Sequence, residues 1–245
     1  MLEIVYRDES MVVINKPAGM LVHRSSVAPG ETVFAVQRLR DQIGMKVHPV
    51  HRLDKPTSGL LVFTLDVESL KAIQTQFTEK KVEKVYWAVV RGYLNKEGTL
   101  DYPLKREVDP YANSEAEGSQ SAVTHYRCLA QTELPVAVGR YPTTRYSWAE
   151  LRPETGRKHQ LRRHMAHLRH PIVGDSRHGV GVHNRFFRDH FGIQRLLLHA
   201  QKISFNHPTT GARITLTAGL DEAFNNALMN AGLAGPADAP ADLKP

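Results

Sequence analysis

The chain has 245 residues, 41% of them apolar and 23% charged, which is enough to bury a substantial core and too apolar for wholesale disorder. Its formal charge of +7, with 13 histidines besides, favours an anionic partner, and its one cysteine, Cys128, excludes an intrachain disulfide and points to a reducing, cytoplasmic setting. The start MLEIVYRDES lacks a basic region followed by an apolar run, and LLVF near residue 60 is too short to span a bilayer, so neither export nor a membrane partner is expected.

LEIVY and MVVIN read as strands separated by the polar turn RDES, followed by a tight loop at Lys16-Pro17-Ala18-Gly19. ETVFAVQRLRDQI, residues 31–43, places Val33, Val36, Leu39 and Ile43 at helical spacing. HPVHRLDKPTSGLLVF, residues 48–63, is a loop leading into the strand LLVFTL. Asp66 is the cap of a helix with Leu70, Ile73 and Phe77 on one face. KVYWAVVRGYL is apolar on both faces, as a central strand would be, and alternation puts Tyr86 opposite Val85, Trp87 and Val89.

KREVDPYANSEAEGSQS, residues 105–121, reads as a long surface loop. SAVTHYRCLA and SWAELRP resume strand character, joined by the irregular ELPVAVGRYPTTRY. TGRKHQLRRHMAHLRHP predicts one amphipathic helix, with Thr155 as its cap and Pro171 as its stop. LLLHAQKISFNHPTTGARITLTA reads as two strands around a His207-Pro208 turn, DEAFNNALMNA as a short helix, and AGLAGPADAPADLKP as a loosely held tail. Residues 1–222 are thus expected to form one domain, with 223–245 a terminal helix and tail.

Asp54 stands at a loop-to-strand junction, between His51-Arg52-Leu53 and Lys55-Pro56-Thr57-Ser58-Gly59. A kinase catalytic loop would join Arg directly to Asp and add a glycine-rich loop and DFG, none of which occurs. An aspartyl-phosphate pump would need membrane helices. Alone, the carboxylate fits a stabilised turn better than a catalytic group.

A partner comes from the helix at 157–170, whose apolar face is centred between Leu161, Met165 and Leu168. Helical geometry sets Arg162 about 90° from that centre and Arg163 nearly opposite it. A half-buried Arg162 calls for a carboxylate, and pairing with Asp54 would keep that group ionised, as a nucleophile or cation stabiliser must be. His159, His164, His167 and His170 share the helix, but only His164 and His167 share a face, without carboxylate or cysteine at ligand positions, so no metal is expected. Basic residues gather between Arg152 and Arg195, among them Arg157, Lys158, Arg163, Arg177 and Arg185, a charge pattern suited to RNA.

VVINKPAGMLVH, HRLDKPTSGLLVF, KVYWAVVRG, ETGRKHQLRRHMAHLRHPIVGD and LLLHA, in this order and across roughly residues 3–220, resemble the RluA-like family of pseudouridine synthases. The resemblance implies an α/β fold of the α+β type: a mixed, mostly antiparallel bent sheet with flanking helices and a catalytic cleft across it. It implies Asp54 as the catalytic carboxylate paired with Arg162, Tyr86 against the target uracil, Arg52 entering the RNA stack and Leu198 walling the pocket. His51, Arg157, Lys158 and Arg163 join Arg52 as expected RNA contacts. The implied reaction is an isomerisation of uridine needing no cofactor, by a monomer without a protein partner and without an additional N-terminal RNA-binding domain.

Within the family, VGRYPTTRYSWAEL and the helix after it are most similar to members that modify tRNA at uridine 65, which makes tRNA the expected substrate. Another tRNA or ribosomal site is the alternative. A non-catalytic RNA-binding protein and a nucleoside glycosidase are the readings of other kinds.

Overall fold

In the computed structural model, residues 1–23, 30, 32–107 and 118–233 are described. Their elements run β1 (Glu3–Arg7), β2 (Met11–Lys16), α1 (Ala35–Ile43), β3 (His48–Pro49), β4 (Ser58–Thr64), α2 (Val67–Thr78), β5 (Glu83–Arg91) and β6 (Glu97–Asp101). There follow β7 (Leu104–Lys105), β8 (Ser119–Gln120), β9 (Val123–Leu134), β10 (Thr144–Pro153), α3 (Gln160–His167), α4 (Gly181–Phe191), β11 (Leu198–Asn206), β12 (Arg213–Thr217) and α5 (Glu222–Asn230). The fold is mixed α/β with a mostly antiparallel sheet, as expected. Among the described residues no helix is long and apolar enough to cross a membrane.

The chain divides into two compact units, one built from Met1–Lys84, Leu104–Gln120 and Ala200–Gly219, the other from Val85–Pro103, Ser121–His199 and Leu220–Pro245. In the first, the strands lie in the order β1-β2-β4-β11, with β3 beside β4 and β12 beside β11. Met11 and Val13 of β2, Leu60 and Val62 of β4 and Ile203 and Phe205 of β11 point to one face and bury it with Ile73 of α2. Asp66 caps α2 as its position predicts, accepting from Ser69 N at 2.7 Å. Helix α1 begins at Ala35, later than the apolar spacing suggests, and Val33 stays exposed. Asp8 closes the unit by accepting from Tyr6 Oη at 2.7 Å, Ser10 N at 2.8 Å and His207 Nε2 at 2.7 Å, so that the β1–β2 turn and the β11–β12 turn share one carboxylate.

In the second unit the strand order is β5-β10-β9-β6. The alternation expected of β5 is present: Trp87 and Val89 join a core with Tyr146, Trp148, Phe187 and Phe224, while Ala88, Val90 and Tyr86 meet Leu161 and Met165 of α3. Helix α5 is capped by Asp221 and buries Phe224, Ala227 and Leu228 completely, so the segment read as a terminal addition is part of this core. Strands β9 and β10 are longer than the sequence suggests and meet as a hairpin. Residues 108–117 of the expected loop and 234–245 of the tail lie outside the described residues, and the ends of that loop pair as β7 and β8.

Candidate active site

The loop that carries Asp54 is fixed from both sides within the first unit. Upstream, Val50 N donates to Val62 O at 3.0 Å, and His51 Nε2 accepts from Val62 N at 3.3 Å while its ring stacks on Phe77 with centroids 5.1 Å apart. An acceptor at Nε2 requires neutral imidazole at that atom, and burial, helped by the nearby Lys84 charge, lowers the His51 pKa to about 4. The histidine expected among the RNA contacts is thus half-buried and bonded to the strand behind Asp54, whereas Arg52 is exposed.

Downstream, Thr57 N donates to Asp54 O at 3.0 Å and closes a turn over Lys55 and Pro56. The Lys55 carbonyl accepts from Gly19 N at 2.9 Å and from Lys16 Nζ at 3.3 Å. Lys16 is fully buried, and its ammonium also binds the carbonyls of Pro17 at 2.8 Å and Met20 at 2.9 Å. The Lys-Pro-Ala-Gly loop therefore clamps the turn of Asp54, a role that was not evident from its sequence. Gly59, just past Ser58, holds φ +106°, and a Cβ there would collide with the backbone of Ala200. Glycine is required for that strand approach. The outcome is a half-buried Asp54 whose backbone neighbours on either side are immobilised.

The second unit holds Tyr86, Arg162, Leu198, Arg157, Lys158 and Arg163. Helix α3 starts at Gln160 after His159, which takes a left-handed φ of 54°, so Thr155 is not its cap. Thr155 Oγ1 instead donates to Gln160 Oε1 at 2.7 Å, and Gln160 Nε2 donates to Val123 O at 3.0 Å and Thr124 Oγ1 at 3.1 Å. His164 adds contacts to Thr124 Oγ1 at 2.9 Å and Tyr102 O at 3.0 Å. These bonds fasten α3 to the start of β9 and fix the rotation of the helix.

That rotation buries Arg162 to 5% exposure, deeper than the half-buried position expected of it. Its guanidinium grips Asp175 at two points, Nε to Oδ2 at 2.7 Å and Nη2 to Oδ1 at 2.9 Å. Asp175 Oδ1 also accepts from the backbone N–H of Arg177 and of His178, each at 2.9 Å. Burial opposes ionisation of Asp175, but the Arg162 and backbone hydrogen bonds outweigh it and its pKa is lowered. Asp175 is the partner of Arg162 that sequence reasoning missed; the signal was its place at the end of HPIVGD, directly after the helix.

Tyr86 lies opposite Leu151 on β10 and packs, half-buried, in the same cluster as Leu198, Leu161 and Met165. The structure thus brings Tyr86, Leu198 and the helix of Arg162 together. Arg157 Nε donates to Ser121 O at 3.1 Å, Arg163 is partly exposed and Lys158 is exposed.

A family model described as RNA pseudouridylate synthase matches residues 10–167. The chain is 56% identical over 235 residues to a tRNA pseudouridine synthase C of Vibrio cholerae, covering 95% of this chain and 96% of that protein. It is 52% identical over 238 residues to one of Yersinia pestis, covering 96% and 93%. Among solved structures, Human RNA Pseudouridylate Synthase Domain Containing 4 superposes with a TM-score of 0.70 at 25% identity, over 96% of this chain and 94% of that one. The motifs around Lys16, Asp54, Tyr86 and Arg162 all fall within the matched stretch, and the chain belongs to the RNA pseudouridylate synthase family of isomerases.

Proposed function

We propose that this protein is a cytoplasmic tRNA pseudouridine synthase that converts uridine 65, acting as a monomer with Asp54 as its catalytic carboxylate. The substrate follows from similarity to relatives named tRNA pseudouridine synthase C over nearly their whole length. The role of Asp54 rests on one observation: a buried lysine, Lys16, is used to fix the turn that presents it. A buried ammonium costs several kcal/mol unless fully hydrogen-bonded, and a solvated turn would not need it.

The reaction breaks N1–C1′, turns the uracil and joins C5 to C1′. The C5 proton leaves, N1 gains a proton, and mass and redox state are unchanged. Asp54 serves at the anomeric centre, by attack on C1′ or by removing a sugar proton, as carboxylates do in glycoside chemistry. Arg162 is held by Asp175 in a fixed two-point pairing. Tyr86 stacks on the uracil beside Leu198, while Arg52 replaces the extracted base in the stack. Arg157, Lys158 and Arg163 hold phosphates.

The test is release of C5 tritium from labelled tRNA, with the modified position mapped in cells that have and lack the protein. Tritium release with no free uracil supports the isomerase, and free uracil would convert it into a glycosidase. Loss of modification confined to ribosomal RNA would remove tRNA as the substrate.

A further inference from the structure

The β9–β10 hairpin carries a surface that none of the groups assigned above uses. Its connection is packed: Leu134, Val136 and Val138 alternate onto the core that contains Trp148 and Phe187. The outward side is organised by Glu133, which accepts from Thr143 Oγ1 at 2.6 Å, Tyr93 Oη at 2.9 Å and Arg145 Nη2 at 3.3 Å. That arrangement lays the Arg145 guanidinium 4.8 Å from the centre of the Tyr93 ring. At the turn, Arg140 sits 4.8 Å from the Tyr141 ring centre and donates to Tyr141 Oη at 2.6 Å. The two tyrosines are nonetheless 41% and 55% exposed.

Two arginine–tyrosine pairs are therefore held toward solvent on a fixed support. Solubility alone calls for charge and does not call for large rings. Glu133 offsets Arg145, so the surface keeps the charge of Arg140. Guanidinium groups beside ring faces match a nucleic acid, with the cation on phosphate and the ring under a base or ribose. An acidic peptide would satisfy the arginines and leave the ring faces without a role.

We propose that Tyr93, Arg140, Tyr141 and Arg145 form a second RNA contact, which grips the substrate at a nucleotide other than the one converted; this rests on the RNA-modifying function above. It needs wild type and three variants, all assayed on folded full-length tRNA tritiated at C5: Arg140→Gln, Tyr141→Trp and the double variant Arg140→Gln/Tyr141→Ala. The double variant should raise KM about tenfold, the scale of one lost stacking contact and one lost phosphate contact, and leave kcat within about twofold. Arg140→Gln should make the slope of log affinity against log salt shallower by about 0.7–0.9. Tyr141→Trp should behave as wild type, because the indole face also stacks. Unchanged KM and salt slope in a double variant that melts like wild type would overturn the proposal and assign the surface to another kind of partner. A fall in kcat alone would overturn it too, by making the hairpin a support for the reacting groups. Wild type that releases no tritium would refute the RNA-isomerase function itself, a failure distinct from that of the hairpin.

Discussion

Arg162 holds Asp175 through two hydrogen bonds, and the two side chains are 5% and 1% exposed. Two-point pairing needs the planar fork of a guanidinium, which an ammonium cannot reproduce. Arg162→Lys should lower kcat at least a hundredfold in the tritium assay, and near-normal turnover would remove Arg162 from the site. Asp175→Ala leaves a buried cation without this carboxylate and should cost about 3–5 kcal/mol of stability, read from urea denaturation.

Asp54→Asn keeps the size of the side chain and removes its charge. Turnover should become undetectable while tRNA affinity, measured by filter binding, stays within a few-fold of wild type. Parallel loss of binding and turnover would mean that Asp54 supports the loop and not the chemistry.

Gly59→Ala places a Cβ against the Ala200 backbone at a φ that side chains rarely adopt. The expected result is a protein that fails to fold or melts far below wild type. An unchanged melting temperature would show that β4 and β11 separate without cost.

Two histidines make the fold acid-sensitive. Burial lowers both His51 and His183 to a pKa of about 4, from an unfolded value near 6.5. Between these values the unfolded chain binds more protons than the folded one, so stability is fully present above pH 6.5 and is lost as pH falls toward 4. His183 is bonded to Tyr146 Oη at 2.8 Å in the second unit's core, and His183→Gln should flatten its share of this slope in urea titrations at stepped pH. Burial opposes ionisation of Asp8, but hydrogen bonds from Tyr6 and His207 outweigh it and lower its pKa, so Asp8 extends the loss to pH values below the usual carboxylate range.

Affinity for tRNA should fall steeply with salt, each phosphate contact adding about 0.7–0.9 to the log-log slope. Arg157→Gln and Lys158→Gln should each reduce the slope by about one such step. A flat response in wild type would separate the basic surface from RNA binding.

Strands such as β2 and β5 are legible in the sequence because their side chains alternate against cores on defined faces, and α2 because Asp66 supplies a cap. Helix α4 is not, since Val180 at its start offers no capping side chain and its aromatic residues are indifferent helix formers. Packing makes it a helix: Phe187 meets Tyr146 edge-on at 4.9 Å, a contact from a strand some forty residues earlier. Strand β6 is hidden by Gly98, a poor strand residue, yet a Cβ there would run into the ring of Tyr126. Of the expected site residues, Asp54, Arg162 and Tyr86 could be proposed from motif, periodicity and family resemblance. Lys16 and Asp175 could not, because their roles consist of bonds to carbonyls and to a guanidinium that only the folded backbone brings near.

The first unit draws on three separated lengths of chain, and its last piece, Ala200–Gly219, includes most of β11, which lies beside β4, and His207, which binds Asp8. During synthesis the N-terminal strands emerge long before these partners do. Until residue 207 has left the ribosome, the edge of β4 is covered by β3 only toward its Phe63 end and lies open around Gly59 and Leu60, a template for pairing with other chains. A nascent chain stalled before β11 should therefore be a client of ribosome-associated chaperones, and the passage of a few dozen C-terminal residues should end that dependence.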